Sequence, residues 1–125
     1  GLFFGGAGNF DVGMGNALDN TIAGGAGSDA LFGMGGNDLL IGGGGNDIFV
    51  FGAGFGHDTI ADFTVGQDRL NIENLGITAA NFAANASIVA VVGGTQVNFA
   101  GADSITLIGV ADPNSVNLVD FVLAG

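Results

Sequence analysis

Between residues 24 and 50 the apolar positions recur in a fixed pattern, GGAGSDALF, GMGGNDLLI, GGGGNDIFV. Each nine-residue unit has a Gly-rich half that closes with an acid, followed by a short apolar run. Leu31, Leu40 and Phe49 stand in the later part of the units, and Asp29, Asp38 and Asp47 stand two places before them. A short apolar run suits a small strand. Its middle residue points inward, because side chains alternate across a strand. The Gly-rich half predicts turns. A short fixed period is the mark of a solenoid, in which each repeat stacks on its neighbours. The expected architecture is turn, strand, turn, strand, wound into a flattened coil with two units per full turn.

The pattern weakens on both sides. Residues 1–23 read as worn repeats: nine back from Asp29 is Asn20, and nine further back is Asp11. Ile22 keeps the inward position, whereas Gly13 fails it. Gly15 and Gly6 keep the opening positions. A capping turn without metal fits this stretch as well as a weakened site does. Leu2, Phe3 and Phe4 either cover the open end of the core or mark a cut in a longer chain. Residues 51–62 end the register, because position 56 is a glycine and the acid comes at Asp58. From 63 to 110 longer β patterns take over. Leu70 alternates with Ile72, and SIVAVV (87–92), Gly93-Gly94 and TQVNFA (95–100) read as a hairpin with a two-residue turn. A further turn at 101–103 leads to SITLIGV (104–110). Thr78 is placed to cap one short helical turn, and Asp112-Pro113 reads as a helix start. The domain expectation is a roll over 1–62, with 1–23 degenerate, 24–50 regular and 51–62 a terminal turn. A β-rich cap over 63–125 would cover the open coil end.

Composition changes the picture in one respect. The 125 residues carry a formal charge of −11, with Arg69 the only Lys or Arg. So acidic a surface repels nucleic acid and anionic membranes. Coiling brings Asp29 towards Asp47 and Asn20 towards Asp38, and like charges in a partly dry site cost energy. The chain has almost no positive charge to offset them, so a dication is expected. Calcium fits, since it takes six to eight oxygens from carboxylates and carbonyls in flexible geometry. A fold strongly dependent on calcium follows, because ion binding to the native state is folding free energy. There is no cysteine, hence no disulfide or thiol chemistry. No apolar run approaches the roughly 18 residues of a membrane helix, so membrane insertion is not expected. No classical signal peptide is visible, and the chain reads as a piece of a longer protein, its C-terminal end.

The units GGAGSD, GMGGND and GGGGND closely resemble the calcium-binding nonapeptide GGxGxDxUx of RTX (repeats-in-toxin) proteins, with Met34 the single departure from the glycines of the pattern. The resemblance implies an all-β fold, a parallel β-roll (a β-helix-like solenoid) followed by a β-rich C-terminal capping region. It implies several Ca2+ ions between stacked turns. Their ligands would be the carboxylates of Asp29, Asp38 and Asp47 with backbone oxygens among those of Gly24, Ala26, Gly33, Gly35, Gly42 and Gly44. By register Asp11 and Asn20 extend the candidate set. FGAGFGHDTIADF looks like the terminal turn of such repeats, where Asp58, and less surely Asp62, would close the last site with Asp38. His57 reads as a solvent-facing turn residue rather than a ligand, and Arg69 as a local contact beside Asp68. The tail DFVLA (120–124) resembles the acidic-then-apolar terminus of type I-secreted RTX proteins, and it also suits a plain terminal strand.

The expected function is a module that folds on calcium outside a bacterial cell, secreted or at its surface, and supports type I secretion of a larger protein. Its partners would be calcium and the secretion machinery. Catalysis is not expected: HExxH, GxSxG and cysteine are lacking, and the one histidine has no nearby serine. An upstream catalytic domain outside this chain is compatible with that. The alternative is a self-assembling extracellular structural protein, a surface layer or filament, stacked through coil ends.

Overall fold

The computed structural model describes residues 12–100 and 103–124. The reading of residues 1–11, including Asp11, Gly6 and the end-covering residues Leu2, Phe3 and Phe4, lies outside the described residues. Three-residue strands alternate with Gly-rich turns: β1 (Val12–Met14), β2 (Thr21–Ala23), β3 (Ala30–Phe32), β4 (Leu39–Ile41) and β5 (Ile48–Val50). β6 (His57–Ile60) and β7 (Arg69–Asn71) follow. Odd-numbered strands pair in parallel in one sheet and even-numbered strands in the other. The register is Val12 to Ala30 to Ile48 in the first sheet and Thr21 to Leu39 in the second. The coil therefore advances by two units per turn, as the period predicts. The fold is all-β, and strands β1 to β7 form its parallel roll.

Strands β2 to β5 and β7 bury their middle residue, and β6 buries its last. Ile22, Leu31, Leu40, Phe49, Ile60 and Leu70 are all fully buried and stack as the core between the two sheets. Burying one such side chain stabilises by roughly 1.5–3 kcal/mol. After Val50 the spacing lengthens, with Leu39 pairing Thr59 and Ile48 pairing Arg69. The extra residues carry Phe51, Phe55 and Phe63 into the core. The sheets run on beyond residue 62, because β7 adds to β5.

The remaining strands are longer. β8 (Ala86–Val91), β9 (Gly94–Phe99) and β10 (Ser104–Ile108) form an antiparallel meander, and β10 pairs in parallel with β6. β11 (Phe121–Val122) adds to β7 and ends the first sheet. Phe55 links roll and meander: its ring lies 4.9 Å from Phe51 and 5.7 Å from Phe99 between centroids.

One local expectation needs correction. The hairpin loop is Val92-Gly93 rather than Gly93-Gly94, since Val91 pairs with Gly94. Gly93 supplies the positive φ of the turn, while the Leu107 carbonyl stands where a side chain on Gly94 would be. Thr78 caps the turn over residues 79–81 that leads into the helix, rather than the helix itself. It exchanges bonds with Asn81, accepting from the Asn81 amide at 3.3 Å while its own amide donates to Asn81 Oδ1 at 2.8 Å. The helix α1 (Phe82–Asn85) begins only after that turn. Asp112 does cap a 3-10 helix over Pro113–Ser115, accepting from the Asn114 amide.

Candidate metal centre

The acids of the repeats form two ladders, one on each edge of the coil. On one edge the Asp29 amide donates to Asp47 Oδ1 and the Asp47 amide donates to Asp68 Oδ1, both at 2.9 Å. On the other edge the Asn20 amide donates to Asp38 Oδ1 at 2.8 Å, and the Asp38 amide to Asp58 Oδ1 at 2.9 Å. Each coil is bonded a second time at the same place. The carbonyls of Asn20, Asp29, Asp38 and Asp47 accept from Leu39, Ile48, Thr59 and Arg69. The acid thus marks where one coil is fastened to the next.

The second carboxylate oxygens differ from the first. Oδ2 of Asp38, Asp47 and Asp58 is buried and has no hydrogen-bond partner among the described residues. An unpaired buried charge is costly, and such groups usually pair or coordinate a metal. The opening glycines are shaped around these oxygens. A Cβ on Gly33 would stand 2.6 Å from Asp38 Oδ2, and one on Gly24 would stand 2.6 Å from Asp29 Oδ2 and 2.8 Å from the Gly42 carbonyl oxygen. Among the described residues no three acidic, histidine or cysteine side chains converge. A cation here would therefore take much of its shell from backbone carbonyls. An all-oxygen set of carboxylates and carbonyls on flexible turns fits calcium.

Residues 14–49 and 24–60 match the family model of the RTX calcium-binding nonapeptide repeat, in its four-copy form. The chain carries RTX repeats. No curated protein matches the chain. Among solved structures it is similar to the AlgE6R2 subunit of the Azotobacter vinelandii mannuronan C5-epimerase, with 24% identity and a TM-score of 0.44 over 98% of this chain and 92% of that one. It is also similar to the AlgE6R3 subunit of the same enzyme, with 26% identity and a TM-score of 0.42 over 95% and 81%. The repeat family makes this a calcium-binding β-roll.

Burial dominates the electrostatics of the RTX acids. It pushes the carboxyls of Asp47 and Asp58 up to about 7. The amides of Asp29 and Asp38 partly offset this, and neighbouring carboxylates add to it: Asp68, Asp29 and Asp62 around Asp47, and Asp38, Asp103 and Asp19 around Asp58. Asp38 and Asp68 are raised in the same direction, again mainly by burial.

The remaining predicted positions fall as follows. Asn20 lies below Asp38 in its ladder, and its side chain is turned onto Asn16 Oδ1 and the Leu18 carbonyl. Asp58 stacks on Asp38. Asp62 places both oxygens on backbone amides of the preceding coil, Gly42 at 2.9 Å and Gly43 at 2.8 Å. His57 is exposed but begins β6 rather than a turn, and a serine is near it after all: its Nδ1 lies 2.8 Å from Ser104 Oγ. The sheet pairing of β10 on β6 makes that contact across 47 residues, and Ser104 itself is only 4% exposed. Arg69 lies exposed on β7.

Asp68 was missed as a member of the RTX ladder. It stands two residues before the inward Leu70, the same phase as Asp29 before Leu31, but the loop ahead of it is longer than in the repeats. Its Oδ2 accepts from the Thr64 amide at 2.8 Å. Asp68 thus closes its ladder with the chain's own amide where Asp47 presents a bare oxygen.

Proposed function

We propose that this chain is a calcium-gated folding module that supports type I secretion of a larger protein. In low cytosolic calcium the acids repel one another and the coil stays open. Outside the cell calcium fills the stacked turns and the roll closes. The observation that carries this reading is the set of dry, partnerless Oδ2 atoms on Asp38, Asp47 and Asp58, in a chain of net charge −11. The carboxylates of Asp29, Asp38, Asp47 and Asp58 would hold the ions, with Asp11 and Asn20 at the weaker end. The carbonyls of Gly24, Ala26, Gly33, Gly35, Gly42 and Gly44 would complete the shells. Residues 1–62 would be the ion-binding part and 63–125 the cap, whose tail over 120–124 supports the export reading through its resemblance to secreted tails.

Circular dichroism on an EDTA-treated sample tests the reading. Calcium should restore β signal, and magnesium, which demands a tighter octahedral shell, should restore much less. A spectrum unmoved by calcium would overturn it. Export is tested separately, by deleting residues 120–125 and following release through a type I channel; undiminished release would remove the tail from the account.

A second reading has its own support. Val12 and Met14 on β1 are more than half exposed, and β1 and β2 end their sheets among the described residues. End-to-end stacking of rolls would cover both strands. Electron microscopy with and without calcium separates filaments from monomers.

A further inference from the structure

Asp62 occupies the place of an opening glycine. The parallel pairing of β4 and β6 sets Leu40 opposite Ile60, which carries residue 62 over Gly42, as Gly42 lies over Gly24. Within the repeats the Gly24 amide donates to the Ile41 carbonyl at 2.8 Å. One coil later the equivalent Gly42 amide donates to the Asp62 side chain at 2.9 Å. The other Asp62 oxygen accepts from the Gly43 amide at 2.8 Å. Both oxygens are therefore engaged with the backbone of the preceding coil.

The Gly43 amide and the Gly42 carbonyl belong to one planar, resonance-coupled peptide unit. A carboxylate on the N–H end strengthens the dipole and raises electron density on the carbonyl oxygen, because bonds in such chains polarise one another. That oxygen faces the coil below. It lies 2.8 Å from the point a Cβ on Gly24 would occupy, and Asp29 Oδ2 lies 2.6 Å from the same point. A carbonyl and a carboxylate oxygen from successive coils thus converge beside Gly24, with Asp62 bonded to the far end of the carbonyl's peptide.

We propose that Asp62 is a positioning residue for calcium: it orients and polarises the Gly42 carbonyl towards an ion shared with Asp29, and does not itself touch the ion. This rests on the calcium-binding reading above and extends it to a residue expected from sequence as a ligand. The arrangement parallels the carboxylates that orient metal-bound histidines from behind, where removal typically weakens metal binding about 10–100-fold.

The experiment is calorimetric titration of calcium into the intact chain, with Asp62→Ala, Asp62→Asn and, as a control for the lost charge, Glu73→Gln. Glu73 is exposed, and among the described residues its carboxylate accepts only from the Asn71 side chain, at 3.5 Å. Asp62→Ala should weaken binding about tenfold or more with the ion count unchanged. Asp62→Asn, which keeps one acceptor, should fall between it and the wild type, and Glu73→Gln should bind as the wild type does. Loss of one ion in Asp62→Ala would make Asp62 a ligand and overturn the proposal, as would unchanged affinity. If Asp62→Ala fails to fold, Asp62→Asn decides: wild-type affinity in that variant, or loss of one ion, overturns the proposal. A wild type that binds no calcium would instead sink the functional reading itself.

Discussion

Met34 is the one residue other than glycine with positive φ among the described residues, at 67°. It fills the second position of its repeat, where Gly25 and Gly43 have φ of 88° and 84°. A side chain in this left-handed conformation costs about 1–2 kcal/mol. Met34→Gly should therefore stabilise the calcium-loaded roll by about 1 kcal/mol, less what its half-exposed side chain contributes, read as a higher urea midpoint. Neighbouring glycines should respond in opposite ways. A Cβ on Gly43 would meet the Gly25 carbonyl in a strained conformation, whereas one on Gly44 would make ordinary contact with Ala26 Cα at 4.0 Å. Gly43→Ala should destabilise by more than about 1 kcal/mol, and Gly44→Ala should be neutral or mildly stabilising. The acids were readable at this scale because the period fixes them. That their first oxygens would be used on amides and their second left bare was not, since it depends on the height between coils.

At the scale of elements, the roll holds its coils through the acid ladders and its end through aromatic packing. Asp38 is bonded from both neighbouring coils, while Asp103 accepts from the Gly56 amide at 3.2 Å beyond the repeats. Asp38→Ala should weaken calcium binding more than Asp103→Ala, as measured by titration calorimetry. Phe55 sits between Phe51 and Phe99 at the junction of roll and meander, 2% exposed. Phe55→Ala should cost about 3–5 kcal/mol, and hydrogen exchange should show faster opening of β9 and β10 than of β3 and β4. The hairpin was visible in the sequence as two apolar runs about a Gly pair. Its one-residue shift was not, because the Leu107 carbonyl on the third strand decides which glycine can turn.

For the molecule as a whole, the raised carboxyls set a pH dependence with a definite sign. Asp47 and Asp58 titrate near 7 in the fold, against an ordinary value of 3.8. The coil then binds protons more tightly than the open chain does, so without calcium its stability is greatest below about pH 4 and is lost as pH rises towards 7. Thermal melts in EDTA should show a lower midpoint at pH 7 than at pH 4. Calcium competes with those protons, so its apparent affinity should rise across the same interval, and loaded protein should reverse the order of the melts. A midpoint in EDTA that rises with pH would contradict the burial of these acids.

The sequence alone determined the coil. A nine-residue spacing of glycine, acid and apolar residue leaves one way to bury Leu31, Leu40 and Phe49 together, and that way stacks the acids. The glycine-and-aspartate motif also pointed to calcium, in a chain with one arginine to set against its acids. Only the tertiary structure decided how the ladders end. Asp68 joined through a lengthened loop, Asp62 turned onto Gly42 and Gly43, and Ser104 came to His57. Each of these depends on contacts between residues far apart in the chain and on loops of irregular length, where periodicity carries no information.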